Sequence, residues 1–254
     1  MSCVSKVFIA FCLINVEAHS AIAAECSVKS GAQTLPLLEL YTSEGCSSCP
    51  PADKWLSGLK SKNVAVTPLA FHVDYWDYIG WKDIYAKPEF SDRQRKLAAL
   101  NFSGFVYTPQ FTLNGQDVRN VTGQRFDQAL ESIAKETARA ELSLQLTQSA
   151  SGEMMLHAQA KPVKPTPANN PQVFIAIYQN QLVSKVQAGE NAGRALEHDF
   201  VVREFLGGYS LNNAFSKKIP IKSAWKAPSA GAVLFVQDAT TGEVWQTLRL
   251  PFCS

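Results

Sequence analysis

The chain has 254 residues, of which 46% are hydrophobic and 18% are charged, and this composition is typical of a globular protein rather than a disordered one. Its 24 basic and 22 acidic residues give a formal net charge of +2 without a polybasic run. The charge pattern therefore argues against nucleic acid or an anionic membrane surface as a partner.

The first segment of the chain has the pattern of an export signal. Lys6 precedes the apolar run from Val7 to Val16, and small residues follow up to Ala24. This apolar run is about half as long as a bilayer-spanning helix, so no transmembrane anchor is expected in the mature chain. We predict a signal peptide over residues 1–24 and an exported protein, either periplasmic or secreted.

Export would leave four cysteines in the mature chain, namely Cys26, Cys46, Cys49 and Cys253. An even number of cysteines in an oxidising compartment favours disulfides. The close spacing of Cys46 and Cys49 favours a bond between these two, which leaves Cys26 to pair with Cys253 as a structural disulfide. The alternative is that one or both of these pairs are free or bond between molecules.

The first half of the mature chain predicts alternating strands and helices. Pro50 fits the first turn of a helix, where its missing N–H is no loss, and Asn114-Gly115 is a strong hairpin signal. In chain order the predicted elements are a strand over residues 35–42, a helix from Pro50, a strand over 64–73, a helix over 91–101 capped by Ser91, a hairpin around Asn114-Gly115 and a helix over 125–138.

The second half changes to short segments in which apolar and polar residues alternate, the pattern of half-buried strands. These segments lie over residues 140–148, 153–161, 172–179, 182–188, 200–205, 217–222, 232–238 and 243–250. Strands at such regular spacing, separated by turn residues, are typical of a β-sandwich.

The segment Cys46-Ser47-Ser48-Cys49 has the spacing of a working dithiol. A helix start lowers the pKa of a nearby thiol, so one cysteine can attack a partner disulfide and the other can resolve the mixed disulfide. We assign attack to Cys46, expected to be the more accessible thiol, and resolution to Cys49. Zinc sites of this spacing need a second cysteine pair, which the sequence lacks, so no metal and no cofactor are predicted.

Two motifs in this order resemble the thioredoxin superfamily over about residues 35–138. They are LLELYTSEGCSSCP, which leads into the dithiol, and FSGFVYTPQFTLNGQ, which precedes the hairpin. The resemblance implies that Pro109 follows a cis peptide bond and that Thr108 beside it contacts a protein partner that carries a thiol or disulfide. More narrowly, YTSEGCSSCPPAD and YTPQ with a β-rich second half are similar to an exported, functionally uncharacterised family, domain of unknown function 1223.

The fold class expected from these patterns is an α/β thioredoxin-like domain over residues 25–138 followed by an all-β sandwich-like domain over residues 139–254. The sequence departs from better-known thioredoxin relatives at one position. Their buried acid, six residues before the first cysteine, corresponds to Leu40, and Glu39 next to it should point to the opposite face of the strand.

Three acidic or imidazole side chains are candidates for the surroundings of the dithiol. Glu44 precedes Cys46 closely and would tend to raise a thiol pKa. His72 and Asp74 lie at a strand end that should come beside the dithiol. His72 is interpreted either as a structural or supporting residue or as a copper ligand with the two cysteines, and Asp74 is a candidate proton relay.

Residues 189–205 concentrate polar and charged side chains, among them Glu190, Asn191, Arg194 and His198. Glycines in this segment suit a solvated turn, and the alternative is a polar patch that faces the dithiol. The favoured function is an exported thiol-disulfide oxidoreductase. The alternatives are a binding or scaffold module with a structural Cys46–Cys49 disulfide, or a copper-handling protein.

Overall fold

The computed structural model describes residues 22–62, 64–149, 153–164, 169–219 and 229–253. The predicted signal peptide lies outside these ranges, apart from its last three residues, which begin the first strand. The helices are α1 Pro50–Ser57, α2 Pro88–Leu100 and α3 Gln124–Lys135. None of the described helices is both long and apolar enough to cross a membrane.

Fourteen strands are present in the described residues. They are β1 Ile22–Lys29, β2 Leu37–Thr42, β3 Thr67–His72, β4 Gln110–Leu113, β5 Gln116–Val118, β6 Ala140–Ser149, β7 Met154–Pro162, β8 Pro171–Gln179, β9 Leu182–Lys185, β10 Ala195–His198, β11 Val201–Ser210, β12 Ala214–Ile219, β13 Ala230–Asp238 and β14 Val244–Pro251.

The predicted fold class, a thioredoxin-like α/β domain followed by an all-β sandwich-like domain, is wrong. The described residues are mostly β, and eight strands from both halves of the chain form one mixed sheet in the order β14-β13-β8-β11-β3-β2-β4-β5. The join lies at β3, which pairs in parallel with β11 at Val201 opposite Ala70. An exposed edge of β3 would leave its backbone groups unpaired, and β11 satisfies them instead. The limits proposed at residues 138 and 139 stay a prediction.

A second sheet, in the order β1-β6-β7-β12, faces part of the large sheet. The strands β8 and β13 are buried on both faces. Successive side chains of each strand pack into different cores, because they point to opposite sides of the sheet. Ile175 of β8 and Leu234 of β13 pack toward the four-stranded sheet. Ala176 and Phe235, their neighbours, belong to the core beneath the three helices. Both halves of the chain therefore contribute strands to the large sheet and residues to the core beneath the helices.

The turn between β4 and β5 follows the hairpin prediction. Asn114 has φ 48° and Gly115 has φ 84°, the backbone that a two-residue turn between twisted strands requires. A Cβ atom at Gly115 would lie 2.0 Å from the Gly242 carbonyl oxygen. This turn therefore fixes the register of β4 and β5 and allows close contact with the loop before β14.

The helix α2 begins earlier than predicted. Pro88 occupies its first turn and Lys87 before it is extended, as expected for a residue that precedes proline. Ser91, the predicted cap, lies inside the helix, and its hydroxyl donates to Asp74 Oδ1. The proline therefore marks this helix start, and the serine binds Asp74 instead.

Candidate functional site

The Cys46–Cys49 disulfide lies between the end of β2 and the first turn of α1. Cys49 is the N-cap residue of α1, and its carbonyl accepts hydrogen bonds from the backbone N–H of Ala52 (2.9 Å) and of Asp53 (3.1 Å). The two cysteine α-carbons are 5.4 Å apart. The sequence between β2 and the prolines thus places the bonded pair where the N-terminal end of the helix dipole acts on it.

Both cysteines of this pair are buried. Cys46 is 1% exposed and Cys49 is 0% exposed, whereas Ser47 and Ser48 between them are exposed. Both cysteines are therefore enclosed in the oxidised protein, and the expectation that Cys46 is the more accessible thiol of the reduced protein stays a prediction. A partner can reach the two serines directly, but it must displace some of the surroundings to reach either sulfur.

The loop 186–194, which connects β9 and β10, covers the disulfide. The Asn191 side-chain amide donates to the carbonyl oxygens of Glu44 (2.8 Å) and Cys46 (2.9 Å). Next to it, Glu190 Oε2 accepts a hydrogen bond from the Ser47 backbone N–H at 2.9 Å. Asn191 is fully buried by these contacts. The polar segment predicted as a solvated turn or a patch facing the dithiol thus contacts residues 43–49 between β2 and α1, which we call the dithiol loop.

The cover loop is itself hydrogen-bonded and packed. Its two ends pair, since Val186 N–H donates to the Arg194 carbonyl (3.0 Å) and Gly193 N–H donates to the Val186 carbonyl (2.8 Å). Gly189 has φ 75°, and a Cβ atom there would lie 3.0 Å from the Ile79 side chain. The loop is therefore held by hydrogen bonds between its two ends and by packing of Gly189 against Ile79.

The residues on either side of the disulfide in the chain contribute to a group of buried titratable side chains, which we call the polar cluster. It draws on the loop after β2, on α1, on β3 with the segment that follows it, and on β10. Its members are Glu44, Asp53, His72, Asp83 and His198. All five are largely excluded from solvent, so their charges act on one another through a poorly screened medium.

Two members of the polar cluster, His72 and Asp83, form a tight pair. His72 Nδ1 and Asp83 Oδ2 are 2.6 Å apart. Burial opposes a charge on His72, but Asp83, with Asp53 and Glu44 behind it, raises the pKa of His72 above its usual value. Burial likewise opposes a charge on Asp83, but His72 and two backbone N–H donors lower the pKa of Asp83. Both directions indicate an imidazolium–carboxylate pair.

His198 is held very differently. Its Nε2 lies 3.4 Å from Glu44 Oε1 and its Nδ1 lies 3.9 Å from Asp53 Oδ2. Within the described ranges neither ring nitrogen has a hydrogen-bond partner, although the residue is only 2% exposed. Its ring packs against that of His72 with centroids 4.9 Å apart. His198 thus lies between two carboxylates without a hydrogen bond to either of them.

Glu44 and Asp53 each have one fixed contact. Trp81 Nε1 donates to Glu44 Oε2 at 2.7 Å, and Thr42 Oγ1 donates to Asp53 Oδ2 at 3.1 Å. Burial raises the pKa of the Asp53 carboxyl, against the lowering effect of His198, of His72 and of the hydrogen bond from Thr42. Asp53 is therefore the carboxyl of the cluster best placed to hold a proton at a pH above the range in which carboxyl groups usually ionise.

The Thr108–Pro109 bond is cis, so this expectation is confirmed. Trp76 connects it to the dithiol loop, since its Nε1 donates to Thr108 Oγ1 at 2.7 Å and its side chain packs over Gly45. Both Thr108 and Pro109 are half-buried. Trp76 therefore links these two residues to the loop that carries Cys46.

Two acidic residues considered from the sequence are engaged elsewhere. Asp74 accepts a hydrogen bond from Ser91 at the start of α2. Glu39 is buried and binds Arg93 Nε at 2.7 Å, with a second hydrogen bond from Thr112 at 3.1 Å. Glu39 lies on the opposite face of β2 from Leu40, as predicted, and its charge is neutralised by the arginine.

The second disulfide joins Cys26 in β1 to Cys253 after β14, with the α-carbons 5.7 Å apart. The sulfurs lie near backbone oxygens, Cys26 Sγ 3.7 Å from the Pro251 carbonyl and Cys253 Sγ 3.6 Å from the Leu146 carbonyl. The two pairings are therefore the ones expected from the cysteine spacing.

Sequence reasoning missed Asp53, Asp83 and Trp81. Asp53 follows Cys49 by one helical turn, and this spacing on a helix was a usable signal. Asp83 and Trp81 belong to an irregular segment between β3 and α2, where no periodicity shows which side chains turn inward. Among the described residues no group of three or more His, Cys, Asp or Glu side chains is arranged to hold a metal ion.

The chain belongs to the family described as "Protein of unknown function (DUF1223)", whose model matches residues 37–237. No curated protein matches the chain.

Two solved structures share the fold. Protein AGR_C_4864 from Agrobacterium tumefaciens is 23% identical, and the match covers 87% of this chain and 96% of that one with a TM-score of 0.64. HBP35 of Porphyromonas gingivalis is 14% identical, with 87% of this chain and 76% of that one covered and a TM-score of 0.64. At these identities the likeness is one of fold alone.

Proposed function

We propose that the protein exchanges disulfides with a protein partner through the Cys46–Cys49 couple. The observation that carries the proposal is the place of this pair at the start of α1, with Asp53 of the polar cluster one turn further along the same helix. The free N–H groups and dipole of a helix start favour a thiolate, which is the reactive form. In the reduced protein, the Cys46 thiolate would attack a partner disulfide and Cys49 would then resolve the mixed disulfide.

Access is controlled by the cover loop 186–194 in this proposal. Asn191 and Glu190 bind the backbone around Cys46, so their release exposes the sulfurs. Thr108 and Pro109 would contact the partner chain, since they border the dithiol loop through Trp76. An exported location fits a protein with two disulfides, because such bonds persist in oxidising compartments.

One observation favours a second candidate, a binding or scaffold module in which the Cys46–Cys49 disulfide is only structural. Both cysteines are buried, and a structural disulfide needs no access to solvent. The two candidates differ in how easily the bond is reduced, because structural disulfides resist reduction by thiol buffers whereas reactive ones do not. No observation favours the copper-handling alternative, since His72 is bound to Asp83.

The test is an equilibrium titration of the folded protein in glutathione buffers of graded potential, followed by alkylation and mass analysis of the cysteine peptides. We expect Cys46–Cys49 to open at a potential above about −300 mV, while Cys26–Cys253 in the same molecule stays closed. The second disulfide is thus an internal control. If Cys46–Cys49 opens only together with Cys26–Cys253, the structural candidate is correct.

A trapping experiment tests exchange itself. In a Cys49→Ala variant the Cys46 thiol can form a mixed disulfide but nothing resolves it, so a covalent adduct with an oxidised protein probe should accumulate. In a Cys46→Ala variant the yield of this adduct should be much lower. An equal yield from both variants would contradict the assignment of Cys46 as the attacking thiol.

A further inference from the structure

The resolving step of such an exchange needs a group that accepts the proton of the Cys49 thiol, because only the thiolate is nucleophilic. The strand that leads into the dithiol does not supply one. Leu40 is apolar, and Glu39 is bound by Arg93 and Thr112 on the other face of the strand. The acceptor must therefore come from another element.

Asp53 lies on α1, the helix that begins at the resolving cysteine. It follows Cys49 by one turn of α1, and its backbone N–H donates to the Cys49 carbonyl at 3.1 Å. Helical side chains lean toward the N-terminus and cover the preceding turn, which here is the turn that carries Cys49. Burial raises the pKa of Asp53, so its carboxyl exchanges a proton closer to neutral pH than an exposed aspartate does.

His198 is the second part of the arrangement. It reaches the site on β10, and its Nδ1 and Nε2 face Asp53 and Glu44 at 3.9 Å and 3.4 Å. Rings from two other elements also face it, His72 of β3 at 4.9 Å and Tyr85 at 5.7 Å. His72 also lowers the pKa of Asp53, but its Nδ1 is hydrogen-bonded to Asp83. Within the described ranges His198 is the imidazole of this pair without a hydrogen bond at either ring nitrogen, and it faces Asp53 directly.

Resting on the exchange proposed above, we propose that Asp53 accepts the proton of Cys49 and that His198 is a positioning residue that keeps Asp53 ionised. In the step, the Cys49 sulfur forms a bond to Cys46 Sγ as the bond from Cys46 to the partner sulfur breaks. The electron pair leaves with the partner as a thiolate, and the Cys49 proton passes to an Asp53 carboxylate oxygen. In the reverse direction Asp53 returns the proton to Cys49.

The first experiment needs no exchange activity. In a Cys46→Ala protein, Cys49 is the free thiol of the mature chain, and its ionisation can be followed by thiolate absorbance while Cys26–Cys253 stays closed. Adding Asp53→Asn removes a neighbouring negative charge, so the pKa of Cys49 should fall by about one unit. Asp127→Asn, an exposed aspartate at the start of α3, is the matched control and should leave it unchanged. An unchanged Cys49 pKa in the Asp53→Asn protein overturns the proposal.

The second experiment measures resolution directly. Reduced protein is treated with dithiobisnitrobenzoate, and release of the second thionitrobenzoate reports attack by Cys49 on the mixed disulfide. Asp53→Asn should slow this release about 100-fold, the lower end of general-base effects, although it makes Cys49 more acidic. A lower thiol pKa combined with slower attack is a result that a purely structural role does not give.

His198→Gln should move the rising limb of the pH–rate profile to higher pH, because Asp53 loses a neighbour that lowers its pKa. His157→Gln, an exposed histidine on β7, is the matched control. His198→Asn serves as a second variant if the glutamine protein does not fold. If the wild type releases only one thionitrobenzoate, the proposed exchange fails while the Cys49 titration still stands. If release occurs with the same profile in the Asp53 and His198 variants, this inference alone fails.

Discussion

The two disulfides of this protein are the same bond in opposite surroundings. Cys26–Cys253 spans a sequence separation of 227 and lies against backbone oxygens of neighbouring strands. Cys46–Cys49 spans a separation of 3, at a helix start between Glu44 and Asp53 of the buried polar cluster. Loop length governs how much a disulfide stabilises the fold, whereas local charges govern how a thiol reacts. The comparison therefore separates a bond suited to stability from one suited to chemistry.

The largest expected effect follows from loop length. Replacing Cys26 and Cys253 together by alanine should lower the free energy of unfolding by about 5 kcal/mol, because the unfolded chain regains the entropy of a very long loop. The same replacement at Cys46 and Cys49 should cost about 2 kcal/mol. Urea unfolding of both double variants under non-reducing conditions measures the difference. Equal losses would show that strain or packing, and not loop closure, determines both values.

The second prediction concerns the charges that only the Cys46–Cys49 end possesses. His72→Gln leaves Asp83 without its partner in a buried site, so the free energy of unfolding should fall by about 3 kcal/mol. The pKa of His72 is raised above 6.5, so its contribution is full below pH 6.5 and is lost as pH rises through the folded pKa. The pKa of Asp83 is lowered below 3.8, so its contribution is full above pH 3.8 and is lost as pH falls through its folded pKa.

The difference between wild type and His72→Gln should therefore be greatest between about pH 4 and 6.5, and smaller on either side. Urea unfolding across pH measures it, with His157→Gln as the control for replacing an exposed histidine. A difference that does not vary with pH would mean that packing of the ring, and not its charge, stabilises the fold.

The sequence predicted local features of the molecule well. Alternating residues located most strands of the second half, and Asn114-Gly115 located the hairpin of β4 and β5. The spacing of the cysteines predicted both disulfides. These features depend on neighbours in the chain or on a short menu of pairings, and such information is present in one sequence.

The arrangement of the strands could not be predicted in the same way. The parallel pairing of β3 with β11 rests on contacts such as Val201 with Ala70, between segments far apart in the chain. No local pattern distinguishes a strand that closes a separate sheet from one that extends a shared sheet. Two members of the polar cluster, Asp53 and Asp83, were missed for a similar reason, because they meet His198 and His72 only when segments distant in the chain come together.

The third prediction would reduce the contrast between the disulfides by exposing the buried one. Asn191→Ala removes two hydrogen bonds from the cover loop to the dithiol loop. Opening of the loop should become about 30-fold more frequent, since two hydrogen bonds together contribute about 2 kcal/mol. Reduction of Cys46–Cys49 by dithiothreitol should accelerate by the same factor, while Cys26–Cys253 keeps its rate. Asn120→Ala, in the turn before α3, is the matched control, and an unchanged rate for Asn191→Ala would show that the loop does not limit access.

The smallest expected effect concerns Glu190, the exposed contact of the same loop. Its carboxylate accepts a hydrogen bond from the Ser47 backbone N–H. Hydrogen bonds with the side chain and the backbone of Ser47 lower the pKa of Glu190 below its usual value. Because water competes for an exposed carboxylate, Glu190→Gln should accelerate reduction of Cys46–Cys49 by only about twofold, and high salt should reduce the difference. Quenching the reduction with an alkylating agent at successive times, at two ionic strengths, measures the acceleration and its dependence on salt. A factor as large as that of Asn191→Ala would place the main hold of the cover loop at its exposed tip rather than at its buried amide.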